Sequence, residues 1–191
     1  MLALTATHVG SAEIPLRQVV ETLFKAPPGS RPDFSGKDLS FLDLSEVDFK
    51  QANLAGTNLL GANLSGANLS STDLRGTKLD RTQLTGTNFS NAKLSGASLF
   101  HAVGSLTFED LAQNAPNFSG ADLSGARIMA RLSRTNMRGA KLTEARLGPP
   151  DRGNELKTPQ QTDLSGAVLA GADLQRGVVT LNEIWPIFML V

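Results

Sequence analysis

Residues 52–71 read ANLAG TNLLG ANLSG ANLSS, four pentads that share a small residue, an amide, a leucine and two turn-forming positions. Outward from this stretch a large apolar residue recurs at every fifth position, fourteen times without a break, from Phe34 and Leu39 through Leu54, Leu59, Leu64 and Leu69 to Phe89, Leu94 and Leu99. Two residues before each centre, from Ala52 onward, stands only Ala or Thr. The residue just before the centre is commonly Asp or Asn, and Ser and Gly commonly follow it.

A period of five suits neither regular element. In an α-helix five residues advance about 500°, so successive leucines would wind around every face. In a strand, side chains alternate, and every fifth residue would fall on opposite faces in turn. What remains is a chain that bends at each pentad and presents the central leucine and the small residue before it to one interior. Gly and Ser after the centre supply the bend, because Gly adopts positive φ without a Cβ penalty.

The pentads ANLSG at 62–66, ANLSS at 67–71, TNFSN at 87–91 and ADLSG at 121–125 resemble the A(D/N)LXX signature of pentapeptide-repeat proteins. That resemblance implies an all-β fold: a right-handed quadrilateral parallel β-helix with one pentad per side and about twenty residues per coil. It covers most of residues 33–181. After an expected insertion at 100–117 the pattern resumes with Phe118, Leu123 and Ile128, slips by one residue, and runs through Leu132, Met137, Leu142 and Leu147. A second expected insertion, 148–160, is rich in Pro, Gly and charge, and Leu164, Leu169, Leu174 and Val179 complete the series.

A solenoid leaves backbone and core open at both ends, so caps are expected. In the N-terminal segment 1–32, Ile14, Leu16, Val19, Val20, Leu23 and Phe24 include helical spacing, and Pro27-Pro28-Gly29 stops it, which predicts a capping helix over 14–26. The apolar tail 182–191 is expected either to cover the last coil or to pair with a second copy as a homodimer.

On the exterior, like charges are spaced along each column by Asn or Lys, as adjacent coils require. Phe41, Leu60 and Phe100 break the polar pattern, all on the side carrying Leu39, Leu59 and Leu99 and next to Asp80 and Arg81. A short helix within the first insertion, around Leu106 and Phe108, is expected to fold over them. The second anomaly is basic: 118–147 holds Arg127, Arg131, Arg134, Arg138, Lys141 and Arg146 against only Asp122 and Glu144, in a chain of zero net formal charge. At five-residue intervals these cations form a belt rather than one stripe. Phe41, Leu60, Phe100, Arg127, Arg131, Arg134 and Arg138 are the candidate interaction surface.

Catalysis has little to work with. Cysteine is absent, the two histidines have no second ligand at metal spacing, and no nucleophile or phosphate-loop motif occurs. No enzyme activity, cofactor or metal is expected. The reading is a protein-interaction scaffold with an unidentified protein partner. Direct nucleic-acid binding is not expected, because no stacking aromatic is interleaved with the basic belt. The alternative, implied by the resemblance, is a DNA-mimic modulator of DNA gyrase. Against it, such mimics are strongly acidic and mostly Phe-centred. No run of about 18 apolar residues predicts a membrane span. Localisation is cytoplasmic by default, or exported if residues 1–12 are the remnant of a signal peptide.

Overall fold

The computed structural model describes residues 14–104, 114–148, 162–175 and 178–179. Within them the chain winds as a four-sided parallel β-helix, right-handed as parallel crossovers nearly always are. Each side takes one pentad. The centre donates its N–H to the carbonyl of the residue before the next coil's centre, as Leu54 does to Asp73 at 2.7 Å, while Asn53 donates back to Pro32 at 2.8 Å. A turn closes every corner, as where Thr57 N–H donates to Leu54 O at 3.0 Å. The second residue after the centre takes a left-handed conformation, φ 68° at Gly56 and φ 59° even at Arg81. Positive φ at the third residue of a hydrogen-bonded four-residue turn is the type II signature, which is why Gly is frequent there.

The centres from Phe34 to Leu147 named above are buried, at most 3% exposed, and form one continuous core with Ala52, Ala62, Ala67 and their equivalents. Where threonine replaces alanine, its hydroxyl finds a backbone carbonyl inside: Thr57 Oγ1 donates to Phe34 O at 2.8 Å and Thr77 Oγ1 to Leu54 O at 2.8 Å. A buried hydroxyl so satisfied costs the core little. Phe89 and Phe118 stack in adjacent coils of the fourth side, centroids 4.6 Å apart and planes 7° from parallel.

Outside the core, the residue before each centre forms hydrogen-bonded ladders. All four such positions in the first coil are aspartates and all four in the second are asparagines. Asn53, Asn58, Asn63 and Asn68 donate Nδ2 to Asp33, Asp38, Asp43 and Asp48 at 3.0, 3.0, 3.0 and 3.1 Å. On the fourth side the chain of amides continues through Asn88 and Asn117 to Asn136. Aspartate only accepts, so at the end of each ladder it receives the asparagine Nδ2–H and has no proton of its own to place.

The carboxylates of Asp33, Asp38 and Asp43 are held below their ordinary value of 3.8. The hydrogen bonds from Ser35, Ser40 and Ser45 are the first cause at Asp33, Asp38 and Asp43, with the asparagine of the next coil adding to them. Lowered folded values mean that their contribution to stability is fully present above the ordinary carboxylate range and is lost as pH falls through the folded values. A thermal melt is therefore expected to be flat from neutral pH to about pH 5 and to drop below about pH 4. Asp38→Asn should flatten part of that drop.

Helix α1 spans Leu16–Lys25, shorter at each end than the 14–26 expected, with Pro15 at its N-cap and Ala26 at its C-cap. Proline supplies no side-chain cap, and both flanking residues are extended. Val19 and Leu23 enter the same core as the first coil, and Lys50 Nζ donates to Leu23 O at 2.7 Å.

One sequence break resolves differently from expectation. The first insertion does not begin at Phe100: β1, Ser98–Val103, carries the repeat through that residue. Gly104, five residues after Leu99, takes the next centre, donating its N–H to Arg131 O at 2.7 Å, in line with Leu44, Leu64, Leu84 and Leu132. The regular repeat is therefore interrupted after Gly104, resumes at Asn114, which accepts the Gly86 N–H at 2.6 Å, and has Phe118 in the regular column of Phe89. The expected helix around Leu106 and Phe108 lies outside the described residues, as do most of 148–160 and all of the 182–191 tail.

The one-residue slip after Ile128 is a deletion at a corner. Strand β2, Arg127–Arg131, pairs in parallel with β1, with Phe100 opposite Met129 but Val103 opposite Arg131. The residue without a counterpart is the left-handed one, His101 with φ 58°. Without it β2 runs extended through the corner, so Asn117 and Asn136, nineteen rather than twenty residues apart, stack directly. Strands β3, Arg146–Leu147, and β4, Val178–Val179, extend the same sheet in the order β1-β2-β3-β4.

Candidate interaction face

The core fills the interior, so chemistry directed at another molecule has to come from the outer faces. The second side, built on Leu39, Leu59, Leu79, Leu99, Ile128 and Leu147, differs from the others. Its column before the centres reads Asp38, Asn58, Lys78, Ser98, Arg127 and Arg146. After the centres it carries Phe41, Leu60, Asp80, Arg81, Phe100 and Met129 in successive coils.

These residues make two patches. In the first two coils, Phe41 is left-handed (φ 60°) and 57% exposed. Its ring lies across Gly61, where a Cβ would stand 2.7 Å from Cδ1, so glycine there lets the ring lie down on the rod. Leu60 accepts the Phe41 N–H at 2.9 Å and is half-buried. In the fourth and fifth coils, the Arg127 guanidinium sits 5.6 Å from the centroid of the half-buried Phe100 ring, a cation–π contact, and Phe100 pairs with Met129. Between the patches lies Asp80, whose Oδ1 accepts both Phe100 N–H at 2.8 Å and the Ser98 hydroxyl. That carboxylate serves the ladder, and Phe41, Leu60 and Phe100 therefore share a side without forming one continuous apolar patch.

The basic residues divide as a belt would. Arg127 and Arg146 occupy adjacent coils of the second side. Arg131 is on the third side, its backbone paired in parallel with that of Asp163, and Arg134 is at the following corner with φ 59°. Arg138 is on the fourth side, its N–H bound to Asn136 Oδ1 at 3.2 Å. Lys141, on the first side, lies in line between Asp122 and Asp173. The structure thus gathers Phe41, Leu60, Phe100 and Arg127 on one face and puts Arg131, Arg134 and Arg138 elsewhere. Lys78 and Met129 complete the face and were not singled out from sequence, and Arg146, counted in the basic belt but not in the candidate surface, joins them. The signal was the slip itself: only after counting the nineteen-residue coil does Arg146 align with Arg127.

Among the described residues no group of three or more His, Asp or Glu side chains is arranged to hold a metal ion. Asp73 is closely paired with a cation: the Arg75 guanidinium, 2.6 Å from Oδ2, holds it below its usual range.

The profile described as Pentapeptide repeats matches residues 33–70, 43–81 and 67–103, with eight copies. This is a pentapeptide-repeat protein. Solved pentapeptide-repeat structures to which the chain is similar include HetL of the cyanobacterium Nostoc, involved in heterocyst differentiation regulation, at 28% identity over 78% of this chain and 75% of that one, TM-score 0.38. A pentapeptide-repeat protein of the Arabidopsis thaliana thylakoid lumen shares 28% identity over 68% of this chain and 79% of its own, TM-score 0.33. QnrB1, a plasmid-mediated fluoroquinolone resistance protein, shares 17% over 84% and 97%, TM-score 0.31. At those TM-scores the likeness carries no functional argument; the repeats themselves place the chain. No curated protein matches it. No helix among the described residues is long and apolar enough to cross a membrane.

Proposed function

We propose that this pentapeptide-repeat protein is a non-enzymatic rod that binds a protein partner through its second side, with α1 covering the core of the first coil. The observation that carries this reading is the contrast among the faces. On the first side Asp73, Lys93, Asp122, Lys141 and Asp173 alternate in sign along the column, and the fourth side is an asparagine ladder. Both patterns are what mutual stability of the coils selects. Among the described residues, only the second side adds exposed Phe41, half-buried Leu60, Phe100 and Met129, and the like-charged neighbours Arg127 and Arg146. Exposed aromatic and arginine side chains on a rigid support are characteristic of binding surfaces.

Affinity capture from an extract of the source organism tests it. Wild-type protein is expected to retain a partner that Phe41→Ser/Arg127→Glu loses, while the far-UV circular dichroism of the two proteins coincides. Equal capture by both overturns the assignment of the face. Modulation of DNA gyrase is the weaker reading, because a DNA mimic needs an unbroken acidic column and the described faces carry none. In a supercoiling assay with and without quinolone, micromolar protein is expected to leave the topoisomer distribution unchanged.

A further inference from the structure

We propose that the part of the second side running from Lys78 to Arg146 docks a short acidic segment of another protein; the inference rests on the protein-binding reading above and names the partner's chemistry. Four cations, Lys78, Arg81, Arg127 and Arg146, occupy this part of the face. The one carboxylate among them, Asp80, is turned to the Ser98 hydroxyl and the Phe100 N–H. The surface is therefore positive in a protein of zero net formal charge.

Placement of the cations limits the ligand. Arg127 and Arg146 are direct neighbours on β2 and β3, where coils are about 4.8 Å apart. Both side chains rise from neighbouring positions of one column, and a single carboxylate set between them accepts from both guanidinium groups. Lys78 lies three coils from Arg146, roughly 14 Å along the rod, a distance that four to five extended residues span. Between the charged ends lie Phe100 and Met129, half-buried and opposite one another. They offer an apolar saddle with Arg127 already stacked on one edge. An extended segment with carboxylates toward its ends and an apolar side chain between them matches this order. A duplex nucleic acid does not use the saddle, and Phe100 with Met129 gives no run of aromatic rings on which successive bases could stack.

A fluorescein-labelled dodecapeptide of Glu-Glu-Leu repeats, titrated with the full chain and followed by anisotropy, tests the proposal. Binding is expected, weakening as salt rises. Arg127→Glu/Arg146→Glu should weaken it by about tenfold or more. Arg131→Glu, on the neighbouring third side, should leave it within about twofold. Far-UV circular dichroism of each variant reports folding, and Arg127→Gln/Arg146→Gln repeats the test without introducing negative charge. No binding of the peptide, or binding indifferent to the paired reversal, overturns the acidic-segment assignment. So does a short DNA duplex that competes as well as unlabelled peptide, which would make the face a general polyanion surface. If the peptide fails while the partner captured from extract is still lost in Phe41→Ser/Arg127→Glu, the protein-binding reading stands and only the acidic chemistry falls.

Discussion

Phe89→Ala is expected to lower the unfolding free energy by about 3–5 kcal/mol, the usual cost of emptying a buried aromatic site. Phe89 is fully buried and its ring stacks on Phe118 at 4.6 Å, so truncation removes the filling of one coil and half of an aromatic pair. Collapse around the void is opposed by the ladders on either side. Phe89 N–H donates to Asn117 O at 2.7 Å and Asn88 Nδ2 to Asn68 Oδ1 at 3.3 Å, which hold the coil spacing whatever the core contains. Because each coil contacts only its neighbours, the loss falls on the junction of the third and fourth coils and should broaden the transition as well as shift it. Urea unfolding followed by far-UV circular dichroism measures both. Phe89→Leu should cost clearly less, since Leu69 fills the same column one coil before. An unchanged midpoint for the alanine variant would be incompatible with a closed interior.

Gly104→Leu is the other large effect, and its direction opposes what the repeat suggests. Leucine is the residue the pattern calls for at that centre, yet the substitution is expected to destabilise by about 1–3 kcal/mol through overpacking. A Cβ at Gly104 would stand 2.7 Å from Pro116 Cγ, 2.9 Å from Pro116 Cδ and 3.0 Å from Arg131 O. The buried Pro116 ring occupies the room a leucine would use, from the position two before Phe118 where Ala or Thr is the rule. Pro116→Ala alone should open a cavity and also destabilise. Combined as Gly104→Leu/Pro116→Ala, the two exchange one filler for another, and the double variant should recover most of the loss. A double-mutant cycle on melting or urea midpoints reads that coupling directly, and simple additivity would remove the claim that proline and glycine are complementary.

Much of this was legible in the residues because the pentad is a local code. The period excludes helix and strand, the small residue before the centre has to be inside, and the Ser-Gly positions after it adopt the turn found at Gly56. The common side of Phe41, Leu60 and Phe100 followed from counting twenty per coil. What counting missed was irregular. Gly104 carries no side chain to mark it as a centre, so the chain seemed to leave the repeat at Phe100, before that side of the coil is complete. The slip after Ile128 was visible, but that the deleted residue is the left-handed one became apparent only with β2 beside β1. Likewise Asp33 and Asn53, with their equivalents on the other three sides, read from sequence as charge spacing, whereas they are acceptor and donor of one ladder.

By itself the sequence determined that the backbone turns every five residues around a leucine-filled interior, because local sterics and burial leave no other use for that period. Only the tertiary structure decided which cations share a face. A single missing corner residue shifts every later position by one around the coil, so Arg146 comes to rest beside Arg127, and Arg131, four residues from Arg127, turns onto another side.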